Sequence, residues 1–191
     1  METLDEFTAP AGHHPGTLSG IDDAFYETLV RDFSSWDKRP VEDPVLRDQC
    51  RSFLEREARL LDEGRFEDWL GLFAPQCVYW IPGRPGAADP RREVSVAFDD
   101  RRRLEDRIYR LRTGSAWSQT PASRTVRLVS NVEVFENTMV RCNLMLNEFR
   151  GGETRLWAGW CGYRLRQGMI EVKQVNLVDC DQNLRNPSLL L

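Results

Sequence analysis

The sequence predicts an α+β fold, a curved antiparallel sheet with three helices packed on one face. Two patterns point to it. Between residues 44 and 112 apolar side chains recur at helical steps, and between 126 and 178 they alternate in four short runs. Short turns join those four runs, which makes an antiparallel meander. In the last run Ile170 and Val172 share one parity, whereas Val175 and Leu177 take the other. A bulge near Lys173-Gln174 repairs that slip and curls the sheet. The 191 residues, 41% of them hydrophobic, fit one ordinary domain with a real core.

Residues 1–42 read as an N-terminal arm, and residues 43–191 as one cone-shaped α+β domain. Proline, glycine and acidic residues dominate the first twenty positions. A short helix then starts near Ile21, and Phe25, Tyr26, Phe33 and Trp36 give the arm an apolar surface to pack on this chain or a neighbour. Asp43-Pro44 is a helix start, with a capping carboxylate and a proline at the first helical position. Leu46, Cys50, Phe53, Leu54, Ala58 and Leu61 form the buried stripe of this first helix of the body, and Gly64 stops it. Phe66, Trp69, Leu70 and Phe73 mark a second helix, closed by Pro75. Residues 77–81 are a strand ended by Pro82, and residues 83–90 are a loop by composition. Residues 94–98 are a brief strand or the lead into the next helix. That third helix follows Asp99 and Asp100, buries Leu104, Ile108 and Leu111, and ends at Gly114. Its acidic start and its late Arg110 and Arg112 suit the helix dipole. Val126 to Val134, Val140 to Leu146, residues 156–165 and residues 169–178 are the four strands of the meander.

Composition excludes several classes of function. No run of about 18 apolar residues is available to span a membrane. The acidic start, Met1-Glu-Thr-Leu-Asp-Glu, lacks the pattern of a signal peptide, so a soluble, cytoplasmic protein is expected. With 26 basic and 30 acidic residues the net charge is -4, which does not favour nucleic acid. The cysteines, Cys50, Cys77, Cys142, Cys161 and Cys180, are odd in number and widely spaced. They read as buried thiols and not as a disulfide framework or a zinc ribbon. Both histidines, His13 and His14, sit in the polar leader. A zinc hydrolase, a two-histidine iron site or a Ser-His-Asp triad needs imidazoles held by a rigid scaffold, so the folded body works without histidine.

Phosphate-binding and nucleophile motifs are missing as well, and Gly151-Gly152 reads as a hairpin turn. Arg101, Arg102 and Arg103 fan around a helix and read as a solvated or partner-facing surface. A cone of this kind can hold a small apolar ligand, and an acid with a tyrosine can move protons without histidine. Tyr79, Tyr109, Tyr163 and Asp99 are the parts available for that chemistry, on separate elements. Trp157 and Trp160 read as core.

Residues 53–70, Phe53-Leu-Glu-Arg-Glu-Ala-Arg-Leu-Leu-Asp-Glu-Gly-Arg-Phe-Glu-Asp-Trp-Leu70, resemble the opening helices of the small (beta) subunit of aromatic-ring-hydroxylating dioxygenases. Val78-Tyr-Trp-Ile-Pro82 is similar to that family's first strand. The fullest match is Asp99-Asp-Arg, Leu104-Glu and Arg107-Ile-Tyr-Arg-Leu-Arg-Thr-Gly114, followed by Ala116-Trp-Ser-Gln, Pro121-Ala-Ser-Arg-Thr125 and Leu128-Val-Ser-Asn-Val132. These motifs run in the family's order over residues 45–180, and the leader before residue 43 matches none of them. The resemblance implies a nuclear-transport-factor-2-like cone and a structural, non-catalytic role in aromatic compound catabolism. It also implies a large (alpha) subunit that carries a Rieske [2Fe–2S] cluster and a mononuclear iron, a hexamer of three large and three small subunits, and a reductase supplying electrons from NADH. It assigns no catalytic, cofactor-binding or metal-binding residue to this chain. The rival reading is a stand-alone cone enzyme, an isomerase or dehydratase acting on a small apolar ligand.

The last residues, Asn183 to Leu191, close on three leucines after Pro187 has excluded a regular strand. Leu189, Leu190 and Leu191 are expected to dock on an interface, with most of the gain going to self-association as a trimer or to the large-subunit contact. Two buried leucines contribute on the order of 3–5 kcal/mol before ordering costs.

Overall fold

The structure is a computed structural model that describes residues 20–182, 186 and 188–191. Along the chain lie α1 (Asp23–Phe33), α2 (Pro44–Asp62), α3 (Phe66–Leu70), β1 (Phe73–Pro82), β2 (Ser95–Asp100), α4 (Arg101–Arg112), β3 (Arg124–Phe135), β4 (Met139–Arg150), β5 (Glu153–Arg166) and β6 (Met169–Leu177). The capping residues do what their chemistry requires. Asp43 Oδ1 accepts from the Val45 and Leu46 amides at 3.0 Å each, and Asp100 Oδ1 accepts from the Arg103 amide at 2.9 Å. Each carboxylate thus serves amides that the helix leaves without partners. Gly64 follows α2 at φ +68°, a backbone conformation that a side chain would strain.

The six strands form one sheet in the order β2-β1-β6-β5-β4-β3. Every pairing is antiparallel except β1 with β6, which is parallel. The wholly antiparallel sheet expected from the meander is corrected here. No hairpin joins β1 to β6, so nothing local fixes their relative direction. Residues 94–98 resolve as strand: β2 pairs with β1, Asp99 stays in the ladder opposite Tyr79, and Asp100 turns the chain into α4.

Pro75 does not close the second helix. It lies inside β1, between the pairs Phe73↔Ile170 and Val78↔Val172, where the register shifts. A residue without an N–H is tolerated there because no ladder bond is lost. The curling bulge also moves. Arg164 faces Val172 and Leu165 faces Ile170, so Glu171 is the extra residue, two positions before the expected site.

α2, α3 and α4 pack on one face, as the three-helix reading requires. Their Leu54, Leu61, Trp69, Leu104 and Ile108 share a core with Tyr79, Leu144, Tyr163 and Val175. α1 lies on the opposite face, where Phe25, Leu29 and Phe33 cover Val78, Trp80, Met139 and Val172. The arm's aromatic residues therefore pack on their own chain. No helix among the described residues is long and apolar enough to cross a membrane.

Candidate functional site: the interior of the cone

α2 delivers a carboxylate into the cone on its apolar stripe. Glu57 stands three residues after Leu54 and four before Leu61, so it shares their buried face and is 2% exposed. Its Oε1 accepts from Lys173 Nζ at 2.6 Å and from Trp69 Nε1 at 2.9 Å. Its Oε2 accepts from the Tyr163 hydroxyl at 2.9 Å. Lys173, also 2% exposed, comes from the centre of β6. Its ammonium lies 5.9, 6.0 and 5.7 Å from the ring centres of Trp69, Tyr79 and Tyr163. An ion pair this deep survives only when its charges are compensated; Glu57 accepts three hydrogen bonds, and the Lys173 ammonium adds three aromatic ring faces to its one hydrogen bond.

Glu57 and Lys173 were not among the residues picked out from sequence. A carboxylate at core spacing and a lysine beside the phase slip of β6 were the signals available.

Of the four residues offered for proton chemistry, the structure brings Tyr79 and Tyr163 into one core and sets Asp99 opposite Tyr79 in the β1–β2 ladder. Both tyrosines are buried on the cone's inner face. Burial pushes the Tyr79 hydroxyl above the usual phenol range, and burial with the Glu57 carboxylate does the same at Tyr163. Each therefore stays a neutral hydroxyl near neutral pH and serves here as a hydrogen-bonding group, Tyr163 to Glu57 and Tyr79 to the Leu191 main chain. Asp99 sits in β2, where its Oδ2 accepts from Arg107 Nε at 2.9 Å, an ion pair between strand and helix. Tyr109 is half exposed on α4, away from the other three.

Leu189, Leu190 and Leu191 are buried at 7%, 2% and 3%, and belong to the same core as Trp69 and Tyr163. The structure seats them inside their own chain's cone instead of on an outer surface, so their burial stabilises this fold directly. Three contacts fix the backbone there. The Leu191 amide donates to the Tyr79 hydroxyl at 3.0 Å, that hydroxyl reaches a main-chain oxygen of Leu191 at 3.5 Å, and Arg127 Nη2 donates to the Leu190 carbonyl. Arg127, whose side chain is 3% exposed, also pairs with Asp62 at the end of α2. Beside it Glu148 accepts from Trp157 Nε1 at 2.8 Å, Ser123 Oγ at 2.5 Å and Asn186 Nδ2 at 2.6 Å. Glu57, Asp62 and Glu148 thus tie α2, β3, β4 and β5 together through buried polar contacts, with the Arg127 Nε left without a partner among the described residues.

The remaining sequence readings also find places. Trp157 is core, whereas Trp160 is half-buried on the outer face under Trp36. Arg101 departs from the solvated-surface reading: its Nη1 donates to the Leu70 and Phe73 carbonyls at 2.9 and 3.1 Å, tying α4 to the start of β1. All five cysteines are free and buried. His13 and His14 lie outside the described residues. Among the described residues no three His, Cys, Asp or Glu side chains converge as a metal site.

Comparison with known proteins places this architecture. The beta subunit of the benzoate 1,2-dioxygenase of Burkholderia mallei superposes with a TM-score of 0.58 at 25% identity, over 78% of this chain and 99% of that one. A naphthalene 1,2-dioxygenase with indole bound in its active site shares the fold, with a TM-score of 0.63 at 20% identity over 90% of this chain and 95% of that one. The 2-halobenzoate 1,2-dioxygenase small subunit of Burkholderia cepacia is 41% identical over 92 residues, 46% of this chain and 56% of that subunit. This chain spans 56%, 63% and 57% of the length of three such curated subunits. The fold is the nuclear-transport-factor-2-like cone. Residues 56–178 match the family described as ring hydroxylating beta subunit. The chain belongs to that family of beta subunits.

Proposed function

We propose that this protein is the non-catalytic small subunit of a multicomponent aromatic-ring-hydroxylating dioxygenase in the cytoplasm, and that it assembles with and stabilises a large subunit. The observation that carries the reading is the family match over residues 56–178, joined to a cone already filled by its own side chains. In this reading the large subunit holds the Rieske cluster and the mononuclear iron, three of each subunit form the hexamer, and a reductase delivers electrons from NADH.

The donor chemistry of this chain supports that division of labour. A Rieske centre needs two cysteines and two histidines, and the mononuclear site needs two histidines with a carboxylate. The only imidazoles here are the adjacent His13 and His14, and the five thiols are buried on separate elements. These residues do not fit either group, so no step of the oxidation is assigned to them.

The outer sheet face supports association. Beyond the reach of α1 it carries Val126, Leu128, Met145 and Leu156 at 61%, 60%, 44% and 57% exposure. Val126 and Leu128 stand on β3, Met145 pairs with Leu128, and Leu156 pairs with Asn147 of the same strand. Four exposed apolar side chains gathered on one sheet face, interrupted only by Asn147 between Val126 and Leu156, favour an interaction surface.

The test is coexpression with a Rieske large subunit encoded beside it. The two chains should copurify, with iron in proportion to the large subunit, and light scattering should report a mass near three of each chain. Recovery of this chain as a free monomer, with the large subunit soluble and active alone, would defeat the reading.

A further inference from the structure

The turn after α4 builds a second polar site, outside the cone's filled interior. Gly114 takes φ +72°, which ends the helix and folds the chain back, so that the Ala116 amide donates to the Arg110 carbonyl at 3.1 Å. Arg107, Arg110 and Leu111 stand on one face of α4, and the returning turn sets Ser115, Ala116 and Ser118 against that face. With Val96 of β2 they surround a hollow of about 380 Å³. Two of its features lack an internal answer. The Ser118 hydroxyl is buried and has no hydrogen-bond partner among the described residues, although the Ser118 carbonyl accepts from Arg150 Nη1. A buried hydroxyl left unmet is costly, and a bound acceptor removes that cost. The charge is also unbalanced. Arg107, 15% exposed, gives Nε and Nη2 to Asp99 Oδ2 at 2.9 and 2.5 Å. Arg110 is exposed, donates Nε to the Asp106 carbonyl at 3.3 Å, and forms no ion pair among the described residues, unlike Arg101, Arg107 and Arg112 of the same helix.

We propose that this hollow binds a small organic monocarboxylate, its carboxylate on Arg110 and the Ser118 hydroxyl and its apolar body on Val96, Leu111 and Ala116. Charge sets the first part of that class. Among the lining side chains, two guanidiniums against the one carboxylate paired with them leave a single positive charge, which one carboxylate neutralises and a dianion exceeds. Hydrogen bonding sets the second, because a serine hydroxyl donates and a carboxylate only accepts. The apolar wall sets the third, since an inorganic ion gains nothing from it. Size agrees: a cavity of about 150 Å³ takes up benzene, so about 380 Å³ admits one ring with its carboxylate. The negative end of the α4 dipole does not oppose the anion strongly, because the Thr113 and Ala116 amides already meet the Tyr109 and Arg110 carbonyls. The site needs α4, its turn and β2 alone, and so stands apart from the subunit reading.

The probe is 4-fluorobenzoate, followed by its fluorine-19 resonance as the full chain is titrated at constant ionic strength, with 4-fluorobenzamide as the uncharged comparator. The acid should bind about tenfold more tightly than the amide, the effect of one charge-assisted hydrogen bond. Arg110→Gln should weaken the acid about tenfold and leave the amide nearly unmoved, and Arg110→Lys should restore part of the loss. Ser118→Ala should weaken the acid about fivefold, the loss of one ordinary hydrogen bond. Arg112→Gln, on the same helix but paired with Glu67 outside the hollow, should bind as the parent does. Arg110 is exposed, so the thermal midpoint of Arg110→Gln should stay within a degree or so of the parent's and its binding can be read on a folded chain. Acid and amide that bind equally overturn the proposal, and so does a resonance that never moves or broadens. Equal losses in Arg110→Gln and Arg112→Gln overturn it as well, because they would mean diffuse attraction by an arginine-rich helix and no built site.

Discussion

Glu57 shows how much one buried carboxylate can organise. It accepts from a lysine, an indole and a phenol that come from β6, α3 and β5, so α2 is locked to three elements through two oxygen atoms. Glu57→Gln keeps the side chain's shape and removes its charge. The Lys173 ammonium would then stay buried with neutral acceptors only. Breaking one side of such a pair costs about 3–5 kcal/mol, whereas replacing both partners with apolar groups can be close to neutral. We therefore expect Glu57→Gln to lower the urea midpoint severely, and Glu57→Leu with Lys173→Met to lower it less than Glu57→Gln does alone. Urea titrations followed by tryptophan fluorescence give both numbers, and equal losses in the two variants would show that the charge is not what matters. Sequence pattern underread this residue for a physical reason. Helical spacing placed Glu57 on the core face, but a charged side chain at such a position is ordinarily assigned to the boundary, and its cation lies 116 residues away.

At the scale of elements, α1 shows what periodicity reveals and what it conceals. The arm's aromatic residues were legible as an apolar surface, and Phe25 and Phe33 do face the sheet with Leu29 between them. Their partner was not legible. Val172 looked like a cone residue out of phase, yet it faces α1, and Glu171 is the bulge that lets β6 be buried on both sides. A strand covered on both faces loses the alternation that would assign its residues to either. The capped helices and the four-strand meander were read correctly because their signals are local. The parallel β1–β6 pair and the seat of the last leucines depend on contacts far apart in sequence. Gly162 tests the arm's docking. A Cβ there would come within 2.5 Å of the Trp36 ring, and Trp36 packs edge-on against Phe33, Phe135 and Trp160. Gly162→Ala should displace that indole and loosen residues 34–42 from the sheet, at about 1–3 kcal/mol, the usual cost of overpacking. Limited proteolysis should then cut between Phe33 and Asp43 faster than in the parent. Unchanged cleavage would mean that Trp36 does not hold the arm down.

For the molecule as a whole, the interior sets a pH limit. Burial pushes the Cys77 thiol up to about 12 from its ordinary 9.0, and raises the Tyr79 hydroxyl above its ordinary 10.0. Burial together with the Glu57 carboxylate raises Tyr163, and burial raises the Cys50 thiol. All four groups are therefore protonated in the folded chain at pH values where the unfolded chain has begun to release their protons. The sign follows from linkage. Where the unfolded state binds fewer protons, stability falls as pH rises. Below about pH 8 both states hold these protons and the groups contribute no slope. Above about pH 9 the thiols, and above about pH 10 the phenols, each add a loss that approaches about 1.4 kcal/mol per pH unit. Stability supplied by keeping these groups neutral is thus fully present near neutrality and is lost as pH climbs toward the folded-state values. The urea midpoint should be flat with respect to these groups between about pH 7 and 8 and should drop steeply by about pH 10.5. Unfolding at that pH should coincide with the part of the phenolate absorbance that Tyr79 and Tyr163 supply, because those two of the four tyrosines ionise only when the cone opens. Phenolate absorbance that appears in full while the fold persists would mean that both hydroxyls reach solvent, and the closed interior described here would be wrong.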